Sequence, residues 1–200
     1  MAVEYNTSVR FCKVRKVPKV SAAHRDERRR QILDGARTAF AEHGYEGATV
    51  ARLEQAIGLS RGAIFNYFPD KWELFYALAV EDQQRAGLLW LEHGFDGLVR
   101  HLGDENPEWI GVYLEVSRML RTIPELRERW AERNVDLDVK LAAHLTKLQA
   151  DGVYRSDLDI ETLGHFLGVV LDGLIVQRGA GFPVDIEGTL ELVRSALAPK

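Results

Sequence analysis

Several classes of protein are excluded by what this chain lacks. It holds one cysteine, Cys12, which cannot close an internal disulfide, so a reducing cytoplasm is the expected compartment. No uninterrupted apolar run reaches the ~20 residues of a membrane span. The nearest stretch, Leu163 to Val176, is broken by His165 and Asp172. The N-terminus has no apolar signal-peptide core, and no membrane partner is expected. Glycine-rich phosphate loops, His-x-x-x-His and Cys-x-x-Cys metal spacings and a recognisable Ser-His-Asp framework are all missing. Neither an enzyme, a metal site nor a cofactor is therefore expected. Strand-like alternation, internal repeats and low-complexity tracts are missing too.

What is present is an ordinary globular composition, 46% apolar and 28% charged. The net charge of -4 hides an asymmetry. Residues 1–71 carry 13 basic and 8 acidic side chains, whereas residues 72–200 carry 13 and 22. A basic first third on an acidic remainder suits a protein of which one part meets a polyanion.

Apolar positions recur at helical spacing almost throughout. Ile32, Leu33, Ala36, Phe40 and His43 form one stripe that follows the charged run Arg25 to Arg30, and Gly44 is placed to end it. Thr49 can cap a second short helix with Val50, Leu53 and Ile57 inward and Gly58 at its turn, and Ser60 can cap a third ending near Tyr67, before Pro69. Asp70 and Glu73 read as a capping box opening a fourth. Beyond it, breaks are expected at Gly94, Gly103 to Pro107, Thr122 to Pro124, Asp151 to Asp157 and Gly179 to Pro183. The fold class is all-α, with a basic arm over 1–24, a three-helix head over 25–71 and a helical body over 72–200.

Helix, glycine turn and capped helix make a helix-turn-helix, although spacing alone equally allows an ordinary helical hairpin. The residues decide. Ile32 to Phe75, ILDGARTAFAEHGYEGATVARLEQAIGLSRGAIFNYFPDKWELF, resembles the DNA-reading head of the TetR family of regulators. The resemblance lies in the Ala-Phe and Gly-Tyr ending of the first helix, the Thr49 start of the second, the spacing Gly58-x-Ser60-x-Gly62-x-Ile64-Phe65, and Asp70-Lys71. It implies a two-fold homodimer of nine-helix subunits that binds a double-stranded palindromic operator, with a body that takes a small-molecule effector. Arg61 is the expected base reader, because its fork can bond a guanine edge, with Asn66 as a second; Ser60 starts the reading helix, and Gly62 and Ala63 keep it close to the groove. Thr49, Tyr67 and Lys71 match positions that touch phosphate, and Arg52 is either a phosphate contact or a solvated side chain. Phe65 and Phe68 read as core. The arm carries Arg10, Lys13, Arg15, Lys16 and Lys19; it either lies along DNA or, over residues 1–16, precedes the usual family start.

Tyr113 to Trp130 and Phe166 to Ile175 narrow the likeness to the aconitase repressors of actinobacteria, which implies a tricarboxylate effector. Such a ligand needs converging cations, for which Arg118, Arg121 and Arg133 are available, with His144 nearby in sequence and Trp109, Tyr113, Trp130 and Phe166 as candidate walls. Two observations oppose it: Glu115 and Arg118 are spaced as a surface ion pair, and His144 and Arg194 depart from the residues expected there. A regulator of efflux or catabolic genes with an apolar ligand, and an architectural DNA-binding protein with none, are the alternatives. Asp172 and His165, inside the apolar stretch, read as a bond across the dimer seam or a polar contact between helices, ahead of a ligand-binding role. That stretch, apolar nearly all round, and the final helix are expected to form the dimer seam through Leu163, Leu167, Val170, Leu171, Leu174, Leu190, Val193 and Leu197.

Overall fold

The computed structural model describes residues 22–104 and 107–199, side chains excepted over 103–109. Among the described residues the regular structure is helix alone: α1 (Ala22–Gly47), α2 (Val50–Ile57), α3 (Arg61–Phe65), α4 (Lys71–Asp104), α5 (Pro107–Thr122), α6 (Pro124–Ala150), α7 (Ile160–Gly179) and α8 (Ile186–Leu197). Gly44 and Gly94, at φ 66° and 72°, interrupt α1 and α4 where the sequence places breaks. Residues 1–21, with the arm's basic side chains, lie outside the described residues. Ala22 to His24, read as the end of that arm, already belong to α1.

Of the expected stripe on α1, Ile32, Leu33, Ala36 and Phe40 are buried, together with Ala39, while His43 is only half-buried. The buried ones pack with Leu53, Ile57 and Ile64 of the head and with Leu74, Phe75 and Leu78 of α4. The same core continues into Val112, Val116 and Met119 of α5 and Leu126 of α6. No packing boundary therefore falls at residue 72, because α4 carries one core across it. Two glycines permit the close crossings. A Cβ on Gly35 would lie 2.6 Å from the Ile57 Cα, and one on Gly111 would lie 3.0 Å from the Ala41 Cα. The first sets α2 against α1, the second α5 against α1.

A second cluster fills the far end of the body, from Trp90, Phe95 and Leu98 of α4 to α7 and α8. It overturns part of the expected dimer seam. Leu163, Leu167, Leu190, Val193 and Leu197 are at most 4% exposed, all within this cluster, so a partner cannot reach them. Val170, Leu171 and Leu174 lean on the same cluster. Helix α7 does have an uncovered side, as an all-round apolar helix predicts, but it is the opposite one: Phe166, Val169 and Val176 are 38%, 56% and 50% exposed. Leu192 of α8 is 73% exposed. By length and composition α7 could cross a membrane, and its inner face packs on the helices of this body.

Candidate nucleic-acid interface and effector recess

The helix-turn-helix is fixed by a polar cap at the start of each of its two helices and a glycine at the turn between them. Thr49 Oγ1 accepts from the Arg52 N–H at 3.4 Å, Gly58 takes the left-handed conformation at φ 73°, and Ser60 Oγ accepts from the Ala63 N–H at 3.4 Å. A third cap has no local sequence signature. The Glu54 carboxylate accepts from the Arg61 N–H at 2.6 Å, tying α2 to the first residue of α3.

On this frame Arg61, Gly62 and Asn66 are exposed together on α3 and at its end, and the Arg61 guanidinium lies 6.0 Å from the Phe65 ring. Among the described residues nothing lies within 4 Å of where a Gly62 Cβ would be, so none of them obstructs the backbone of α3 there. Ala63 is half-buried, and Tyr67 packs against the head core. Phe68 is buried and Phe65 packs against the core, as read from sequence. Two cations are already engaged. Arg52 donates to the Gly47 carbonyl at 2.7 Å, and Lys71 Nζ donates to the Tyr45 carbonyl at 2.9 Å while sitting 4.4 Å from the Tyr45 ring. Lys71 thus ties α4 to the end of α1, with two further donors on its ammonium.

Asp70 Oδ1 accepts from the Glu73 N–H at 2.8 Å, which is half of the expected capping box. Glu73 does not return the bond: Arg129 of α6 takes both of its oxygens, at 2.8 and 2.9 Å. That fork holds the Glu73 carboxyl below its usual range.

Of the residues expected to line an effector site, two come together among the described residues. Tyr113 and Trp130 share a recess of about 140 Å³ between α4, α5 and α6, with Asp82, Gln83 and Ser117. Arg118 pairs with Glu115 at 3.1 Å on the surface, the ion pair that its spacing suggests. Arg121 is exposed, Arg133 lines an outer groove between α4 and α6, and Phe166 lies on the uncovered side of α7. His144 is half-buried, and its Nε2 has no hydrogen-bond partner among the described residues. The Trp109 side chain lies outside the described residues. Among the described residues, the cationic convergence expected of a tricarboxylate site is therefore missing from the recess.

Sequence reasoning missed Arg37 and Asp82. Asp82, 5% exposed, lines the recess, and Arg37 reaches it from α1, with Nη2 to Oδ1 at 2.6 Å and Nε to Oδ2 at 3.4 Å. Burial pushes the Asp82 carboxyl above its usual range, against the pull of the Arg37 fork. Residues forty-five apart on different helices leave no periodic trace. On the far side of the recess the Tyr113 hydroxyl donates to Asp172, making that aspartate the expected polar contact between helices, here α5 to α7. Burial, then Asp172, raises the Tyr113 phenol above its ordinary value. His165 is exposed.

Residues 32–78 match the model of bacterial regulatory proteins of the tetR family, and residues 90–199 match that of the BetI-type transcriptional repressor C-terminal region. The chain is 42% identical to the HTH-type transcriptional repressor Rv1474c of Mycobacterium tuberculosis, over 90% of this chain and 98% of that protein. Identity is also 42% to the HTH-type transcriptional repressor AcnR of Corynebacterium diphtheriae, over 90% and 97%. Among solved structures, GusR of Salmonella enterica superposes with a TM-score of 0.70 at 23% identity, over 89% of this chain and 97% of that one. A TetR-family regulator from Rhodococcus gives 0.69 at 21%, over 86% and 96%.

Proposed function

Since the chain belongs to the TetR family and is a helix-turn-helix transcriptional repressor, we propose that it binds a palindromic operator as a cytoplasmic homodimer and releases it when a small molecule enters the body. The observation that carries the DNA reading is the uncovered surface of α3, where Arg61, Gly62 and Asn66 stand together on a helix capped from both α2 and its own turn. Arg61 and Asn66 read base edges; Thr49, Tyr67 and the spare donors of Lys71 hold phosphate. The partner subunit covers Phe166, Val169 and Val176 of α7 and Leu192 of α8, which two copies related by a two-fold would bury against one another.

The recess supports a sensing protein over an architectural one, for which a solid body would suffice. Its position matters as much as its volume, because one of its walls, Asp82, is bonded to the central helix of the head. The test is selection of duplexes from a random pool, followed by a gel shift on point variants of the selected site. Arg61→Ala is expected to lose preference at one base pair of each half-site, at a cost of about 1–3 kcal/mol. A uniform loss across every site variant would remove Arg61 from base reading.

A further inference from the structure

The uncovered side of α7 has an internal order that selects how a second copy lies on it. At 3.6 residues per turn Val169 stands in the middle of that side, with Thr162 and Val176 two turns away on the same line. His165 and Asp172 stand one turn before and one turn after Val169 on one edge, and Phe166 and Gly173 stand likewise on the other. All of these are exposed. The stripe is therefore matched to its own reverse: running it backwards exchanges His165 with Asp172 and Phe166 with Gly173.

A copy related by a two-fold through Val169, perpendicular to the helix, runs antiparallel and brings the exchanged residues together, twice each. A histidine N–H then meets a carboxylate. An aromatic ring meets Gly173, where among the described residues nothing lies within 4 Å of the place a Cβ would take. A parallel copy would instead set each Asp172 beside its own counterpart, with like charges opposed. Both polar groups are available. Among the described residues the His165 side chain makes no hydrogen bond or ion pair, and Asp172 makes only the bond that its Oδ1 accepts from the Tyr113 hydroxyl. That bond holds the carboxylate in place before a partner arrives, which lowers the ordering cost of pairing.

We infer that two copies of this chain pair through α7, antiparallel about Val169, with His165 of each on Asp172 of the other and the Phe166 ring seated over Gly173. The inference rests on the reading of the exposed side of α7 as the dimer seam. It makes Asp172 a shared group: one oxygen holds Tyr113, a wall of the recess, and the other takes the partner's His165.

The experiment is cysteine cross-linking of the full chain in a Cys12→Ser background, with sedimentation of charge variants beside it. Val169→Cys should oxidise to a covalent dimer, since at the axis each copy faces itself. Val176→Cys should not, because at 1.5 Å per residue it lies about 21 Å from its own copy. His165→Glu sets carboxylates opposite one another and should raise the dimer dissociation constant at least tenfold, whereas His165→Lys should leave the dimer intact. Adding Asp172→Asn to His165→Glu should recover most of the loss, with an acceptor kept for Tyr113. Absence of a cross-link in Val169→Cys, equal cross-linking of both cysteine variants, undiminished dimerisation of His165→Glu, or no recovery on adding Asp172→Asn overturns the inference. If Val169→Glu is monomeric while Val169→Cys stays uncross-linked, the seam is on α7 and the antiparallel pairing alone fails. If Val169→Glu remains dimeric, the seam reading fails with it.

Discussion

The guanidinium of Arg37 and the carboxylate of Asp82 form a buried ion pair across the junction of head and body, Nη2 to Oδ1 at 2.6 Å, with side chains 17% and 6% exposed. Arg37 also holds Asp34 one turn back on α1, at 3.1 Å. Removing Arg37 leaves the buried Asp82 carboxylate without its hydrogen-bonded counterion and removing Asp82 leaves Arg37 with the exposed Asp34 alone, whereas removing both leaves neither charge behind. Either Arg37→Met or Asp82→Leu is therefore expected to destabilise by about 3–5 kcal/mol, and the double substitution to recover most of that loss. Urea denaturation of the four proteins in the cycle measures it; additive losses would mean that the pair does not act as a unit.

Glu73 and Arg129 make the corresponding tie between α4 and α6, at 2.8 Å, but in contact with solvent, with side chains 32% and 46% exposed. Arg129 depresses the Glu73 pKa in the folded state, so the stabilisation is present above the unfolded value of ~4.3 and is lost as pH falls through the lower folded value. Glu73→Gln should cost about 0.5–1 kcal/mol at pH 7, after discounting for solvent screening, and nothing once the carboxyl is protonated. Thermal melts from pH 7 to strongly acid pH give the comparison. An equal deficit at both ends would assign the loss to packing.

Gly35 and Gly62 are predicted to respond oppositely to alanine. At Gly35 the new Cβ meets the Ala56 carbonyl at 2.8 Å as well as the Ile57 Cα, so the two helices must separate, at about 1–3 kcal/mol. At Gly62 the Cβ meets none of the described residues within 4 Å, and the folded protein should be unharmed or up to ~1 kcal/mol more stable. Operator affinity should fall in both, through a displaced α3 in one and a methyl group in the groove in the other. A Gly62→Ala variant with unchanged operator affinity would place α3 out of contact with the bases at that point.

Lys71→Ala removes the bond to the Tyr45 carbonyl and the contact with its ring. It should lower stability by about 1 kcal/mol and weaken every operator variant alike, with the salt dependence of binding reduced by about one unit of slope. Loss of stability with an unchanged slope would make Lys71 a structural tie only.

The exposed side of α7 gives a sharper test of assembly than its buried one. Val169→Glu places a charge on a residue 56% exposed in the protomer, so the chain should fold, sediment as a monomer and bind its operator weakly, two linked heads having been separated. Leu163→Glu, at a position with no exposure, should unfold the protomer instead. Dimeric Val169→Glu with full operator affinity would move the interface elsewhere.

Helix positions and breaks, the caps at Thr49 and Ser60 and the core roles of Ile32, Leu33 and Phe40 were legible in the sequence, because each is set within one or two helical turns by caps, glycines and period. The residues of α3 proposed to read DNA come from a motif contained in one short segment. Tertiary structure alone decided which side of α7 is covered, since a helix apolar all round carries no phase to say which stripe meets the core and which is left uncovered. It alone gave Glu54 to the start of α3, Glu73 to Arg129 rather than to its own helix end, and Asp82 to Arg37. These choices depend on which helices lie within reach of a side chain, and that is fixed by crossings such as Gly35 on Ile57, where the missing Cβ lets two backbones approach.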